Sequence, residues 1–272
     1  MEKKGKILLI TSIFLVLTIS LFSLNVYADE LNISSSLFSG EKSVKSLDEK
    51  SFLSPNWAGY IVVKKDSNNQ IEEKTVKYVE GTWEVPEVDC SSISTGYVYI
   101  WVGIDGYSSS SNTIEQIGTA ARCNGGNPSY FAFWEMYPRP VNQISNFQIS
   151  PGDEVYAKVE FIGKNNFNLS ITNLDTGKTF SVVKKMKGTK RSSAEWIVED
   201  PLGIASPGNF PEFDEVTFTN TKAKMKNVQG KTISNPNWVS YEIDMAGDGV
   251  LKADASPLMS GGKSFNVTWL HE

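Results

Sequence analysis

The chain has 272 residues, 40% hydrophobic, 21% charged and 11% aromatic, with a formal net charge of −5. That much apolar material builds a core and excludes a disordered or fibrous chain, while the acidity argues against binding nucleic acid or other phosphates. The single histidine, at position 271, and only two cysteines exclude a histidine-based nucleophile pair and a clustered zinc site, so no metal or cofactor is expected.

Lys3, Lys4 and Lys6 precede an apolar run from Ile7 to Val26, and Val26-Tyr27-Ala28 is a small-x-small cleavage site. Residues 1–28 therefore read as a secretory signal peptide. The run approaches the roughly 20 residues that span a bilayer, so a membrane anchor is the competing reading, and the Ala28 site favours cleavage. A secreted, extracellular protein without stable membrane insertion is expected. The removed segment carries three lysines against one glutamate, so the remainder changes from −5 to −7. Residues 29–53 are polar and without period, a linker or short pro-segment. One domain, residues 54–272, follows.

Cys90 and Cys123 are the two cysteines. An oxidising compartment permits a disulfide between them, closing a loop whose entropy is worth about 3–4 kcal/mol. YVYIWVGID (97–105) alternates as a strand does, with Val98, Ile100, Val102 and Ile104 on one face and Tyr97, Tyr99, Trp101, Gly103 and Asp105 on the other. In NTIEQIG (112–118), Glu115 and Gln116 must point to opposite faces. FAFWEMYP (131–138) puts Phe131, Phe133, Glu135 and Tyr137 together. Further strands are expected in 153–163, 214–225 and 263–270, and residues 169–183 read as a hairpin about Asp175-Thr176-Gly177. The basic run KKMKGTKR (184–191) reads as a solvated hairpin tip.

SSAEWIVEDP (192–201) sets Glu195 on a strand face with Ile197 and Glu199. Glu199 and Asp200, ahead of Pro201, read as an ordinary solvated strand end. No window has a useful helical period. Many short strands with recurrent turns make an all-β protein, a sandwich or a barrel. PNWAGY (55–60) and PNWVSY (236–241) echo each other, and a shared entry from turn to strand accounts for that as well as a repeat does.

If such a chain is an enzyme, carboxylates or amides do its chemistry. Asp105, Glu135 and Glu195 each share a strand face with aromatic or apolar side chains. That arrangement leaves three classes open: a carboxylate-based hydrolase of peptides, a glycoside hydrolase, and a non-catalytic lectin-like module. A glycosidase needs two carboxyl groups about 5–9.5 Å apart. Glu195 and Glu199, four residues apart on one strand, lie about 13 Å apart, which leaves Glu195 with Glu135 as the pair to consider.

PNWAGY, GTWEVP (81–86), WVGIDG to IEQIG (101–118), WEMYP, ISPGD (149–153) and AEWIVEDP (194–201) resemble, in order and spacing, the glutamic peptidases or eqolisins. The resemblance covers nearly the whole domain. It implies a β-sandwich of two antiparallel, about seven-stranded sheets, concanavalin A-like, with one sheet bent into a concave cleft. It implies a catalytic dyad at Gln116 and Glu195, with Glu195 as base and Gln116 as donor to the oxyanion. A monomeric endopeptidase acting on protein or peptide substrates in acid follows, independent of metal. Other cleft positions carry over onto Trp101, Asp105 and Glu135, and Tyr97, Tyr99, Phe131 and Phe133 are expected to line substrate subsites. Phe131 and Phe133 depart from the fungal enzymes, which have an aspartate and a tryptophan there.

Overall fold

Fifteen strands follow one another along the chain: β1 (Ser51–Ser54), β2 (Trp57–Val63), β3 (Val76–Glu84), β4 (Thr95–Ile104), β5 (Ile114–Asn124), β6 (Asn127–Tyr137), β7 (Asn142–Gln143), β8 (Glu154–Gly163), β9 (Asn166–Asn173), β10 (Thr179–Lys185), β11 (Ser193–Glu199), β12 (Glu215–Met225), β13 (Val239–Gly247), β14 (Val250–Ala255) and β15 (Phe265–Trp269). The computed structural model describes residues 51–201 and 209–271. Residues 1–28, read above as a signal peptide, and residues 29–50 lie outside them. No helix occurs among the described residues.

Hydrogen bonding runs without a break in the order β10-β9-β8-β3-β12-β15-β14-β13-β2-β11-β4-β5-β6-β7. The ladder is thus continuous, where the resemblance implies two separate sheets. Every pairing is antiparallel except β1 on β13. Ser51–Ser54 pairs with Glu242–Met245, so the sheet begins inside the segment read as linker. The two PNW segments lead into β2 and β13, which pair with each other.

β4, β5 and β11 pack their inner faces on β3, β8, β9 and β12. Val98, Ile100, Val102, Ile117, Trp196 and Val198 meet Val79, Val155, Val159, Leu169 and Phe218 there in one apolar core. Buried indoles find acceptors across it: Trp196 Nε1 donates to the Glu80 carbonyl (2.8 Å) and Trp83 Nε1 to Thr119 Oγ1 (2.9 Å). The outer face of the same strands is apolar too, with Ile61, Tyr99, Trp101, Ala120, Phe133 and Ile197 in a second cluster. A strand buried on both faces reads as the near-continuous apolar run seen in β4. Gly118 makes this double packing possible, because a side chain there would strike the Ile100 carbonyl and the Cα of Trp101.

A disulfide joins Cys90 to Cys123 on β5. The basic run does not form a free tip. It connects β10 to β11, with Met186, Thr189 and Arg191 buried and Arg191 Nη1 donating to the Val76 carbonyl (2.8 Å).

Candidate functional site

Register brings the acidic and amide side chains together. Glu195 on β11 faces Gly103 on β4, Gly103 faces Gln116 on β5, and Gln116 faces Glu135 on β6. Cross-strand partners project to the same side, so this row lies on the outer face with Trp101, Phe133 and Ile197. Glu115 projects the other way, toward the inner core beside Ile117.

Gly103 is the gap in the row. A Cβ there would lie 2.7 Å from Trp101 Cζ3 and 3.4 Å from Gln116 Cβ. Glu195 and Gln116 therefore sit on one face two strand spacings apart, about 9.5 Å between backbones, with the six-membered ring of Trp101 lying over the glycine between them. Glu135 is three spacings from Glu195, about 14 Å, with Gln116 interposed. Glu195 thus has a glutamine rather than a second carboxyl as its partner across the gap, which disfavours the glycosidase geometry.

Glu195 is 0% exposed and Gln116 4%. Neither carboxylate oxygen of Glu195 and not the Oε1 of Gln116 has a hydrogen-bond partner among the described residues. Gln116 Nε2 donates to Glu135 Oε2 at 2.7 Å. Burial pushes the Glu195 carboxyl well above the usual carboxylate range; the Ser193 hydroxyl pulls it back, and the charges of Asp105 and Glu115 raise it further. Burial likewise raises Glu135 to about 7, with Glu199 adding repulsion and the Gln116 bond opposing.

Asp105 was expected to line the substrate face, and the structure places it elsewhere. It follows the end of β4 with φ 71°, which re-aims its side chain. It is 0% exposed. Its Oδ2 accepts the N–H groups of Lys190 (2.7 Å) and Arg191 (2.6 Å), and its Oδ1 accepts the N–H (2.8 Å) and hydroxyl (3.0 Å) of Ser192. The carboxylate is spent on the turn that leads into β11, three residues ahead of Glu195.

Trp101 and Phe133 are buried and form a floor, while Tyr97 and Phe131 are half-buried above it. Tyr99 stacks with Tyr97 (centroids 6.0 Å) and meets Phe133 (4.8 Å) and Phe131 (6.2 Å) edge-on. Sequence reasoning missed two residues of this neighbourhood. Gly103 carries no chemical signal. Glu199, read as a solvated strand end, is half-buried and accepts the Trp101 indole N–H at 2.7 Å. Burial lifts its carboxyl to about 7 against the Trp101 bond. Its two-residue alternation with Glu195 and Ile197 was the available clue. Among the described residues, no three His, Cys, Asp or Glu side chains form a metal-ligand set.

Glu115 is 0% exposed, and neither of its oxygens has a hydrogen-bond partner among the described residues. Burial, then the Asp105 charge, pushes its carboxyl well above the usual range, with Thr113, Lys74 and Arg191 only partly offsetting them. A carboxyl whose folded pKa exceeds its unfolded one favours folding fully below the unfolded value and loses that contribution as pH rises through the folded value, at about 1.4 kcal/mol per pH unit. Glu115→Leu is accordingly expected to gain about 1–4 kcal/mol at pH 7 and much less near pH 4. Urea unfolding at both pH values checks this; an equal gain at both would show that the Glu115 charge is not the cause.

Against known proteins, residues 55–268 match the Peptidase A4 family. Aspergillopepsin-2 of Aspergillus niger is 29% identical over 240 residues, covering 80% of this chain and 78% of that protein. Scytalidopepsin B of Scytalidium lignicola is 30% identical over 167 residues, 58% of this chain and 56% of that one. The crystal structure of scytalido-glutamic peptidase with a transition state analog inhibitor superposes with a TM-score of 0.64 at 23% identity, over 80% of this chain and 100% of that one. Aspergilloglutamic peptidase from Aspergillus niger gives 0.56 at 30% identity, over 64% and 99%. A family match that spans nearly all of the described chain, together with these relatives, gives one assignment: this protein belongs to the Peptidase A4, or eqolisin, family of peptide-bond hydrolases.

Proposed function

We propose that the protein is a secreted, monomeric endopeptidase that hydrolyses peptide bonds in proteins with Glu195 as general base and Gln116 as oxyanion donor. Its continuous ladder would fold over on itself into the two layers of a concanavalin A-like sandwich, with the aromatic face bent into a substrate cleft. The observation that supports this best is the register that sets Glu195 and Gln116 in one row on either side of Gly103, each with a buried, unpartnered acceptor oxygen.

The chemistry follows from those groups. A water in the gap gives a proton to ionised Glu195 while its oxygen attacks the scissile carbonyl carbon. The carbonyl becomes an oxyanion, stabilised by a Gln116 N–H. Glu195 then passes the proton to the amide nitrogen, the C–N bond breaks, and a carboxyl and an amine leave. The step needs no metal and no covalent intermediate. Glu195 has no exposed surface, so peptide entry requires side chains over it to part. Tyr97 and Phe131 offer an apolar surface to the substrate's side chains.

The base must be ionised, so activity rises with pH through the elevated Glu195 carboxyl. Ionisation of Glu135, raised to about 7, adds negative charge beside the gap and closes the window from above. Hydrolysis of denatured casein from pH 2 to 8 is expected to peak on the acid side of 7 and to resist pepstatin, a serine-protease inhibitor and a chelator. Inhibition by the chelator, or no cleavage at any pH, would overturn the reading.

A further inference from the structure

Glu135 touches the dyad glutamine but has no part in the steps above, and what it does there rests on the reading just proposed. A carboxamide has two ends of nearly equal shape, one a donor and one an acceptor, and the two are exchanged by a half-turn of its last torsion. For Gln116 that choice decides the chemistry, since only the Nε2 end stabilises an oxyanion. Among the described residues its side chain has one hydrogen bond, from Nε2 to Glu135 Oε2.

We propose that Glu135 is the positioning residue of Gln116, and that the proton on Glu135 selects which end of the carboxamide serves the gap. An ionised carboxylate only accepts, so it holds Nε2 and turns Oε1 away from itself, as observed. A neutral carboxyl donates its O–H to Oε1 instead, and then both Nε2 hydrogens are free for the oxyanion. Glutamine in this row is thereby coupled to acid without titrating.

The surroundings suit a carboxyl that changes state in this way. Glu135 shares the outer face with Glu195 and Glu199 from β11, Tyr97 and Tyr99 from β4, Arg122 from β5 and Tyr137 of its own strand. β7, on its other side, brings only Asn142 and Gln143. Glu199 repels its charge, and Arg122 is drawn over the Tyr97 ring at 5.7 Å. Burial lifts the carboxyl to about 7, so the exchange falls within the working range of the assay.

The test is kcat and KM on a fluorogenic peptide from pH 3 to 9 for wild type, Glu135→Gln, Glu135→Ala and Gln116→Ala, with melting curves for each and activity remeasured after return to pH 5. Wild type is expected to lose about tenfold per pH unit above 7, reversibly. Glu135→Gln offers a permanent N–H donor to Oε1. It should keep wild-type activity at pH 5 within about threefold and lack the alkaline fall, exceeding wild type about tenfold at pH 8. Glu135→Ala should lower kcat about 10- to 100-fold at every pH with KM within about twofold, less than loss of an oxyanion donor outright. A Glu135→Gln variant that falls with the wild-type alkaline limb overturns the inference, as does a Glu135→Ala variant whose defect lies in KM alone, the mark of a substrate contact. Retained activity in Gln116→Ala would instead sink the dyad itself, and the inference with it.

Discussion

Glu195→Gln is expected to lower kcat by about 10³ or more while leaving a protein at least as stable as wild type. The substitution keeps shape and volume but removes the carboxylate that the proposed reading makes the base, and general base and acid roles together are worth about 10²–10⁴. Gln116→Ala removes the donor instead and is expected to cost about 10²–10³, or 2.7–4 kcal/mol of transition-state stabilisation. The two act as one unit, so the double variant should be little worse than Glu195→Gln alone. Stability moves the other way. The Glu195 carboxyl is buried, with both oxygens unpartnered and its pKa raised, so the neutral amide removes a cost that grows as pH rises toward 7. Steady-state kinetics with a melt on the same preparations checks both halves. Residual activity above a tenth of wild type would move the base elsewhere.

Asp105→Ala is expected to cost about 3–5 kcal/mol and most of the activity, although the Asp105 carboxylate is bound to the turn at 190–192. Four donors lose their acceptor: three backbone N–H groups and the Ser192 hydroxyl, all at or within 3.0 Å. A buried donor left unsatisfied costs about 1–3 kcal/mol, and alanine is also strained at φ 71°. The more diagnostic variant is Asp105→Asn, which tolerates the backbone and keeps the shape. Both oxygens of Asp105 accept N–H bonds, so wherever the amide nitrogen is placed it meets at least one N–H head-on. Asparagine should therefore rescue less than about half of the lost stability, as measured by guanidinium unfolding. A near-wild-type Asp105→Asn would mean that the turn at 190–192 holds itself.

The alternation of 97–105 gave β4 almost to its end, and the Asp-Thr-Gly turn gave the β9–β10 hairpin, because both signals are local. β4 stops at Ile104 because Asp105 adopts a positive φ, which alternation does not encode. β1 was hidden in a polar segment, since a four-residue strand depends on its neighbour β13 rather than on its own pattern. The dyad proposed for Gln116 and Glu195 comes from family motifs alone. The row that sets them face to face depends on β11 lying between β2 and β4, although nearly a hundred residues separate β4 from β11. No periodicity reports such an insertion. Glu199 looked like a strand end because Asp-Pro follows it, and only the tertiary fold brings the Trp101 indole to it. Arg191 looked like one more surface cation, and its burial is equally non-local.

Gly103 has a consequence for how this molecule can change. On the proposed reading, the span over which the bond is cut is measured in strand-to-strand steps and held by amide hydrogen bonds, which side-chain replacement leaves untouched. A mutation at Tyr97 or Phe131 alters what the face prefers to hold; it does not lengthen or shorten the ruler. Preference and reactivity are therefore inherited separately, and lineages of such a chain are free to wander in taste while the cutting distance stays fixed in the backbone.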